Sequence, residues 1–203
     1  MRGFDARLFR AVNHFADRTS WAHGPVAAYA TLGIGLFAIL LIVGWWTARA
    51  DRDLDALACL LWAGAGTLVA VGLNQVIGSV VGRARPYTTM PNVHVLISRT
   101  SDFSFPSDHA VAAGAAAAGL VLASRRLGAM AAVLALLMAA ARVYVGAHYP
   151  GDVVAGLAMG AVVVVAGALV AVPLLRSVVG AVDRSRLRTI VAAEPAPEPV
   201  PTR

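Results

Sequence analysis

Long stretches without a charged residue limit what this chain can fold into. Residues 24–48, 56–82, 127–141 and 153–175 contain no Asp, Glu, Lys or Arg. Only 14% of the 203 residues are charged, whereas soluble domains contain about 25%. Because about 20 apolar residues in a helix cross a bilayer, the sequence predicts an all-α integral membrane helical bundle.

Five segments are long enough to span the membrane, and the predicted bundle covers residues 26–175. We place the spans near 26–48, 55–78, 108–124, 127–147 and 152–175. The third is the shortest. The third and fifth are rich in Ala and Gly, which favours close helix packing, although a bias of the genome towards alanine explains the same composition.

Residues 1–20 form a predicted amphipathic helix ahead of the spans. Its apolar residues recur at helical spacing, namely Phe4, Leu8, Phe9, Val12 and Phe15. Such a helix either lies in the membrane interface or packs against the bundle. We therefore expect one membrane domain over 1–178, followed by a basic, Pro-rich and disordered tail over 179–203.

Loop arginines indicate an orientation in the membrane. The groups that follow the first, third and fifth spans share one side: Arg49, Arg52, Arg125, Arg126 and the 176–188 cluster. The positive-inside rule makes that side cytoplasmic, so the loops 79–107 and 148–151 face the extracytoplasmic side. The same topology places residues 1–20 on the extracytoplasmic side, where their arginines argue against the assignment, but Asp5 and Asp17 lie among these arginines.

Polar residues interrupt the apolar pattern in three places that this topology brings to one membrane face. They are GRARPY after the second span, PSDH at the start of the third, and ARVYVGAHYPGD between the fourth and fifth. Ionisable groups at this depth are costly and are therefore candidates for function. The candidate site residues are Arg83, Arg85, Ser107, Asp108, His109, Arg142, His148 and Asp152.

These residue types fit phosphoryl transfer. Arginine forks make bidentate bonds to phosphoryl oxygens, and a helix that begins at Ser107 adds free N–H groups and a positive dipole end. His148 and Asp152 can form a nucleophile–carboxylate pair, with Pro150 beginning the fifth span between them. His109 is then the candidate to protonate the leaving oxygen.

The three motifs resemble those of the type-2 phosphatidic acid phosphatase superfamily: RP at 85–86, PSDH at 106–109, and R-x5-H-x3-D from Arg142 to Asp152. The resemblance covers most of residues 55–175, and the third motif is the most specific. It implies a phosphatase that needs no metal or other cofactor and forms a phosphohistidine. The implied roles are attack by His148, orientation by Asp152, protonation by His109, and phosphate binding by Arg85, Arg142 and Ser107.

Two residues depart from the family pattern. Gly78 stands seven residues before Arg85, where Lys is usual, and Arg83 is the nearest residue to supply the missing charge or, alternatively, to anchor at the headgroups. Asp108 stands where Gly is usual. Both departures resemble the bacitracin-resistance type of undecaprenyl-diphosphatase. That subgroup acts at the outer face of the bacterial cytoplasmic membrane, where it recycles the peptidoglycan lipid carrier by cleaving the diphosphate to the monophosphate.

The role of Asp108 has three interpretations. In the first turn of the third span an acid stabilises the helix dipole. Alternatively, Asp108 pairs with one of the arginines, Arg83 being the nearest candidate, or it tunes His109 towards its protonated form. A role with a divalent cation on a diphosphate substrate is a further option.

Two other functions fit the same residues. One is a phosphatase for another lipid, such as phosphatidylglycerophosphate, phosphatidate or a decaprenyl-linked phosphate. The other is a non-catalytic lipid-binding or transport protein, although such a protein needs no His–carboxylate pair. The expected partners are the lipid phosphate substrate and membrane lipids. No nucleic acid is expected, and the sequence predicts no particular protein partner.

Overall fold

Helices make up the regular structure of residues 2–193, which the computed structural model describes. In chain order they are α1 (Arg2–Asp17), α2 (His23–Leu32), α3 (Ile34–Asp51), α4 (Leu54–Val81), α5 (Pro86–Thr89), α6 (Asp108–Ala123), α7 (Arg125–Tyr144) and α8 (Pro150–Asp183). Two 3₁₀ turns cover Ser20–Ala22 and Arg188–Ile190. Residues 194–203 of the predicted tail lie outside the described residues.

Several of these helices have the length and composition of membrane spans. Within the described residues four segments qualify: Ile34–Asp51, Leu54–Thr89, Arg125–Tyr144 and Pro150–Asp183. α6 is also apolar but has only 16 residues, which is about 24 Å at 1.5 Å per residue. It corresponds to the third predicted span, the one expected to be shortest. The predicted all-α integral membrane bundle is confirmed.

The first predicted span, 26–48, is not one continuous helix. α2 ends before Gly33 and α3 begins after it. A Cβ atom at Gly33 would lie 2.6 Å from the ring of Tyr29, so this ring occupies the space that a side chain would need. The Tyr29 hydroxyl donates to the Leu134 carbonyl at 2.7 Å, which holds α2 against α7.

The expected disorder of 179–203 is wrong for the part that the structure describes. α8 continues to residue 183, and the segment after it packs against the end of α3. Arg49 donates from Nε and Nη2 to the Thr189 carbonyl at 2.9 and 2.6 Å, and Arg52 donates to the Ala193 carbonyl at 3.0 Å. Arg49 and Arg52, whose charges indicate the orientation in the membrane, thus also bind the backbone of the tail.

α6 lies in the centre of the bundle, packed between α4, α7 and α8. A Cβ atom at Gly114 would lie 2.3 Å from the Leu157 carbonyl oxygen, and one at Gly160 would lie 2.1 Å from that of Val111. No side chain fits at either position without moving a backbone. The small residues of α6 and α8 therefore have a packing role that a compositional bias does not explain.

α1 combines the two interpretations of the amphipathic helix. Phe9 is fully buried and packs on Tyr149 with ring centroids 5.6 Å apart. Phe4 and Phe15 are 67% and 59% exposed on the outside of the helix. α1 thus packs against the bundle at the end where α8 begins, and it presents aromatic residues outward as interfacial helices do.

Candidate active site

A cavity of about 900 Å³ lies at the end of the bundle where α6 begins. Its polar wall holds Arg85, Asp102, Asp108, His109, Arg142 and His148. Its apolar wall includes Ala27, Ala28 and Leu32 of α2 and Val95, Leu96 and Ile97 of the loop before α6. Residues from all three sequence motifs therefore meet around one space.

His148 lies in the turn between α7 and α8 and is 1% exposed. Gly146 makes this turn with a φ of +78°, and a Cβ there would lie 2.4 Å from the His94 carbonyl oxygen. The His148 Nδ1 is 2.8 Å from the Ser104 carbonyl oxygen. Since a carbonyl only accepts, Nδ1 carries the proton and Nε2 has a free lone pair.

Two guanidinium groups face that lone pair. Arg85 Nη1 and Arg142 Nη2 donate to His148 Nε2 at 3.1 and 3.3 Å. Burial and the charges of these two arginines hold the pKa of His148 well below its usual value. The imidazole is therefore neutral at pH 7, which is the form that a nucleophile needs.

Asp152 supports His148 indirectly. Its Oδ2 is 3.9 Å from His148 Nδ1, too far for a hydrogen bond. The same oxygen accepts from the Ser104 hydroxyl at 2.5 Å and from the Tyr149 N–H at 3.0 Å. Ser104, which sequence reasoning missed, thus links the carboxylate to the ring: its hydroxyl binds Asp152 and its carbonyl binds His148.

Arg83 does not line the cavity, although the sequence suggested it as a source of positive charge for phosphate. It donates to Asp152 Oδ1 at 2.6 Å and to Asp5 Oδ2 at 2.5 Å. Its guanidinium carbon lies 4.1 Å from the ring centroid of Tyr149. Gly78, at the position of the usual Lys, is buried beneath the Phe105 carbonyl. The charged donors on the cavity wall are therefore Arg85 and Arg142.

Asp108 lies in the first turn of α6, as one interpretation expected. Its Oδ1 accepts from Asn74 Nδ2 at 2.6 Å and from Gln75 Nε2 at 2.9 Å. Arg83 is not among its partners, so the proposed ion pair between them is absent from this structure. Two side-chain amides of α4 hold the carboxylate beside the cavity, and sequence reasoning assigned no role to either.

Several polar groups near His148 lack a hydrogen-bond partner. Within residues 2–193, the buried Arg142 Nε and the fully buried Ser107 Oγ have none. Ser107 precedes α6 as its N-cap residue, but its hydroxyl makes no capping bond. Unpaired buried donors cost about 1–3 kcal/mol each. Arg142 lines the cavity, whereas Ser107, which the sequence predicted as a phosphate-binding residue, does not.

Arg85 also contacts the loop before α6. Its Nη2 donates to Asp102 Oδ2 at 2.9 Å, and Nη1 donates to the Ala147 carbonyl at 3.1 Å. Burial opposes ionisation of Asp102, but hydrogen bonds from Thr100 and Arg85 outweigh it and lower the pKa of this carboxyl group. Asp102 therefore holds Arg85 in place and remains ionised. Sequence reasoning missed this residue.

The site is thus a buried neutral histidine beneath two guanidinium groups, within a bundle of apolar helices. A family model described as the PAP2 superfamily matches residues 59–175. The chain belongs to this superfamily, and the resemblance seen in its motifs is confirmed. It is a membrane lipid phosphatase of the PAP2 type.

Curated relatives of the chain are named for different activities. It is 31% identical over 152 residues to the Bacillus licheniformis protein named bacitracin transport permease protein BcrC, covering 75% of this chain and 73% of that one. It is 26% identical to Bacillus subtilis undecaprenyl-diphosphatase BcrC, covering 77% and 78%. It is also 40% identical to Mycobacterium tuberculosis decaprenylphosphoryl-5-phosphoribose phosphatase, covering 63% and 66%.

Solved structures share the fold. Aquifex aeolicus LpxE superposes with a TM-score of 0.60 at 23% identity, covering 79% of this chain and 92% of that one. A Bacillus subtilis PAP2-type phosphatidylglycerolphosphate phosphatase gives a TM-score of 0.60 at 24% identity, covering 91% and 89%. At this level of identity the two structures support the architecture alone.

Proposed function

We propose that this phosphatase hydrolyses undecaprenyl diphosphate, or a closely related polyprenyl diphosphate, to the monophosphate and inorganic phosphate. The observation that carries the proposal is His148, whose unprotonated Nε2 faces Arg85 and Arg142 on the cavity wall. These guanidinium groups can hold the equatorial oxygens of a phosphoryl group while the imidazole attacks phosphorus.

The reaction proceeds in two steps through a phosphohistidine. Nε2 of His148 forms a bond to the terminal phosphorus, and the bond from phosphorus to the bridging oxygen breaks. His109, on the same cavity wall, donates a proton to the leaving lipid monophosphate. His109 then takes a proton from water, whose oxygen attacks phosphorus and releases inorganic phosphate from His148. The Ser104 carbonyl holds Nδ1–H throughout and stabilises the charge on the phosphorylated ring.

The apolar wall of the cavity supports a lipid substrate. Leu32 lines the cavity and is also 73% exposed on the outer surface of the apolar bundle. A long isoprenoid chain can therefore leave the cavity past α2 and remain in lipid while the diphosphate contacts Arg85 and Arg142.

The charge distribution supports an active site on the extracytoplasmic side. Arg49 binds the segment after α8, and Arg176 pairs with Asp55 at 2.7 Å, so basic residues from α3 and α8 share one end of the bundle. The cavity lies where α6 begins, at the other end of these helices. With the basic end in the cytoplasm, His148 faces outward in the bacterial cytoplasmic membrane. This position fits recycling of the cell-wall lipid carrier, the process that links such enzymes to peptidoglycan synthesis and bacitracin resistance.

A second candidate substrate is a decaprenyl-linked sugar phosphate. The observation that favours it is the 40% identity over 129 residues to the mycobacterial phosphoribose phosphatase. His148, Arg85 and Arg142 can serve either lipid, because both present a terminal phosphoryl group. The two substrates differ in the leaving group, which is a lipid phosphate in one and a sugar hydroxyl in the other.

Phosphate release by the purified protein tests the proposal. We expect the wild type to cleave undecaprenyl diphosphate faster than decaprenylphosphoryl-5-phosphoribose, phosphatidylglycerophosphate and phosphatidate. His148→Ala should lower the rate by about 10³-fold or more, as loss of a nucleophile does elsewhere. His14→Ala, which removes an exposed histidine of α1 outside the cavity, should retain the wild-type rate.

Three outcomes separate the alternatives. Faster release from the phosphoribose lipid would select the second candidate. Equal rates for wild type and His148→Ala would exclude phosphohistidine catalysis. Uptake or binding of polyprenyl diphosphate without phosphate release would favour the transport or lipid-binding function.

A further inference from the structure

We infer that Asp5, on the amphipathic helix α1, is a positioning residue for the reaction at His148. It shares the guanidinium group of Arg83 with Asp152, and this sharing keeps negative charge available behind the imidazole. The inference rests on the proposed function and adds a residue from outside the segment that the family model matches, 59–175.

Asp5 binds two groups from distant parts of the chain. Its Oδ2 accepts from Arg83 Nη2 at 2.5 Å, and its Oδ1 accepts from the Gly151 N–H at 2.8 Å. The Asp5 side chain is 15% exposed and that of Arg83 is 26% exposed, so both are partly shielded from solvent. The carboxylate also lies at the N-terminal end of α8, where the helix dipole favours a negative charge.

The fold is arranged to admit this carboxylate. A Cβ atom at Gly151 would lie 3.0 Å from Asp5 Oδ2 and 3.3 Å from Oδ1, so a side chain there would displace the carboxylate by a few tenths of an ångström. Phe9, one turn further along α1, is fully buried against Tyr149 and fixes the helix beside the start of α8. Asp5 therefore occupies a defined position and is not a free surface acid.

Arg83 connects Asp5 to the acid behind His148. Its Nη1 donates to Asp152 Oδ1 at 2.6 Å, and Asp152 is completely buried. The other oxygen of Asp152 accepts from Ser104, whose carbonyl accepts from the His148 ring. A chain of hydrogen bonds thus runs from α1 to the nucleophile.

The charges explain why the second acid matters. His148 becomes positively charged as its Nε2 bonds to phosphorus, and Arg85 and Arg142 oppose that charge from 3.1 and 3.3 Å. Asp152 is the acid behind the ring. If Arg83 paired with Asp152 alone, the positive charge of Arg83 would cancel the negative charge of Asp152. With Asp5 also bound to Arg83, the group of two carboxylates and one guanidinium has a net charge of −1. This remaining negative charge stabilises the transition state.

Asp5→Asn tests the role, because it removes the charge and keeps the size of the side chain. We expect kcat for phosphate release to fall roughly tenfold, the effect typical of residues that orient a functional group from behind. KM should change less than twofold, because Asp5 does not line the cavity. Asp17→Asn, on the same helix and paired with His94 at 2.6 Å, is the matched control and should retain wild-type kcat.

A double-mutant cycle with Arg83→Gln separates charge sharing from a docking role of α1. Without the guanidinium, Asp5 has no link to Asp152, so Asp5→Asn should have little further effect on kcat. An equal loss in both backgrounds would overturn the inference, as would wild-type kcat in Asp5→Asn alone. Both results presuppose hydrolysis by the wild type. Absence of wild-type hydrolysis of every lipid phosphate would reject the proposed function itself, and this inference with it.

Discussion

The imidazole of His148 is neutral because of its surroundings. It is buried, and its nearest charged neighbours are the guanidinium groups of Arg85 and Arg142. Both factors lower the pKa of His148. The same arginines that we propose to bind the substrate phosphate therefore keep His148, the proposed nucleophile, unprotonated.

This pKa shift should make the stability of the protein depend on pH. The unfolded chain protonates His148 near pH 6.5, but the folded protein resists protonation until the pH is well below that value. The unfolded state then binds more protons, so the free energy of unfolding falls as the pH drops below about 6.5. The slope from one such group is at most about 1.4 kcal/mol per pH unit.

Thermal unfolding in detergent measures the effect. Between pH 7.5 and 5 the wild type should lose more stability than His148→Asn, which lacks the titrating ring. Other ionisable groups are common to the two proteins and cancel in the comparison. An identical loss in both proteins would contradict the neutral assignment of His148.

At the residue scale, the sequence predicted residues that line the cavity, such as His148, better than the residues that hydrogen-bond to them. The motif spacing identified His148, whereas Ser104 acts partly through its backbone carbonyl, for which a sequence has no signal. One of the two partners of Arg83 is Asp5, which lies 78 residues away in the sequence. Only the fold brings these two residues together. One signal was available: Asn74 and Gln75 interrupt an apolar run, and both donate to Asp108.

At the scale of elements, the close packing of α6 against α8 depends on glycines, which have no side chain. Gly114 of α6 and Gly160 of α8 allow the two helix backbones to touch. The two helices also begin near the cavity: α6 carries His109, which lines it, and α8 carries Asp152, which lies behind His148. Packing between them therefore sets the distance between His109, the proposed general acid, and Asp152.

Gly160→Ala should disrupt this contact. The new Cβ would lie 2.1 Å from the Val111 carbonyl oxygen, so a backbone must move. We expect a loss of about 1–3 kcal/mol in stability and a loss of phosphatase activity. Gly72→Ala is the matched control, because nothing lies within 4 Å of the Cβ added at this position of α4. It should be neutral or stabilising, since Ala favours a helix over Gly by about 1 kcal/mol. Equal unfolding temperatures for the two variants would contradict the packing argument.

Hydrophobic runs predicted the spans, but not every boundary. The first span is broken at Gly33, where the ring of Tyr29 occupies the space that a side chain would need. α8 extends to residue 183 instead of 175, and Arg176, just beyond the apolar run, pairs with Asp55. Hydropathy measures preference for lipid and contains no information on such contacts.

At the scale of the whole molecule, the two ends of the bundle differ in charge and in role. One end carries the contacts of Arg49 and Arg52 with the segment after α8. The other end holds the cavity and α1. Because basic residues favour the cytoplasmic side, this difference supports the proposed orientation.

Cysteine labelling tests the orientation. In a Cys59→Ala background, which removes the single native thiol, Ser101→Cys and Ser185→Cys place a nearly isosteric thiol at exposed positions of opposite ends. We expect a membrane-impermeant maleimide added to intact cells to label position 101. Position 185 should react only after the membrane is permeabilised. The reverse pattern would place the active site in the cytoplasm.

The central position of α6 has a consequence for how the protein is made. Ribosomes deliver α6 to the membrane before α8 exists, so the face around Gly114 has no protein partner until Leu157 is inserted. The same late helix brings Asp152, to which Arg83 and Ser104 are bonded in the finished bundle. An unfinished chain thus holds its arginines and PSDH motif in the membrane without a functional centre, and phosphatase activity begins only when translation has passed the final span.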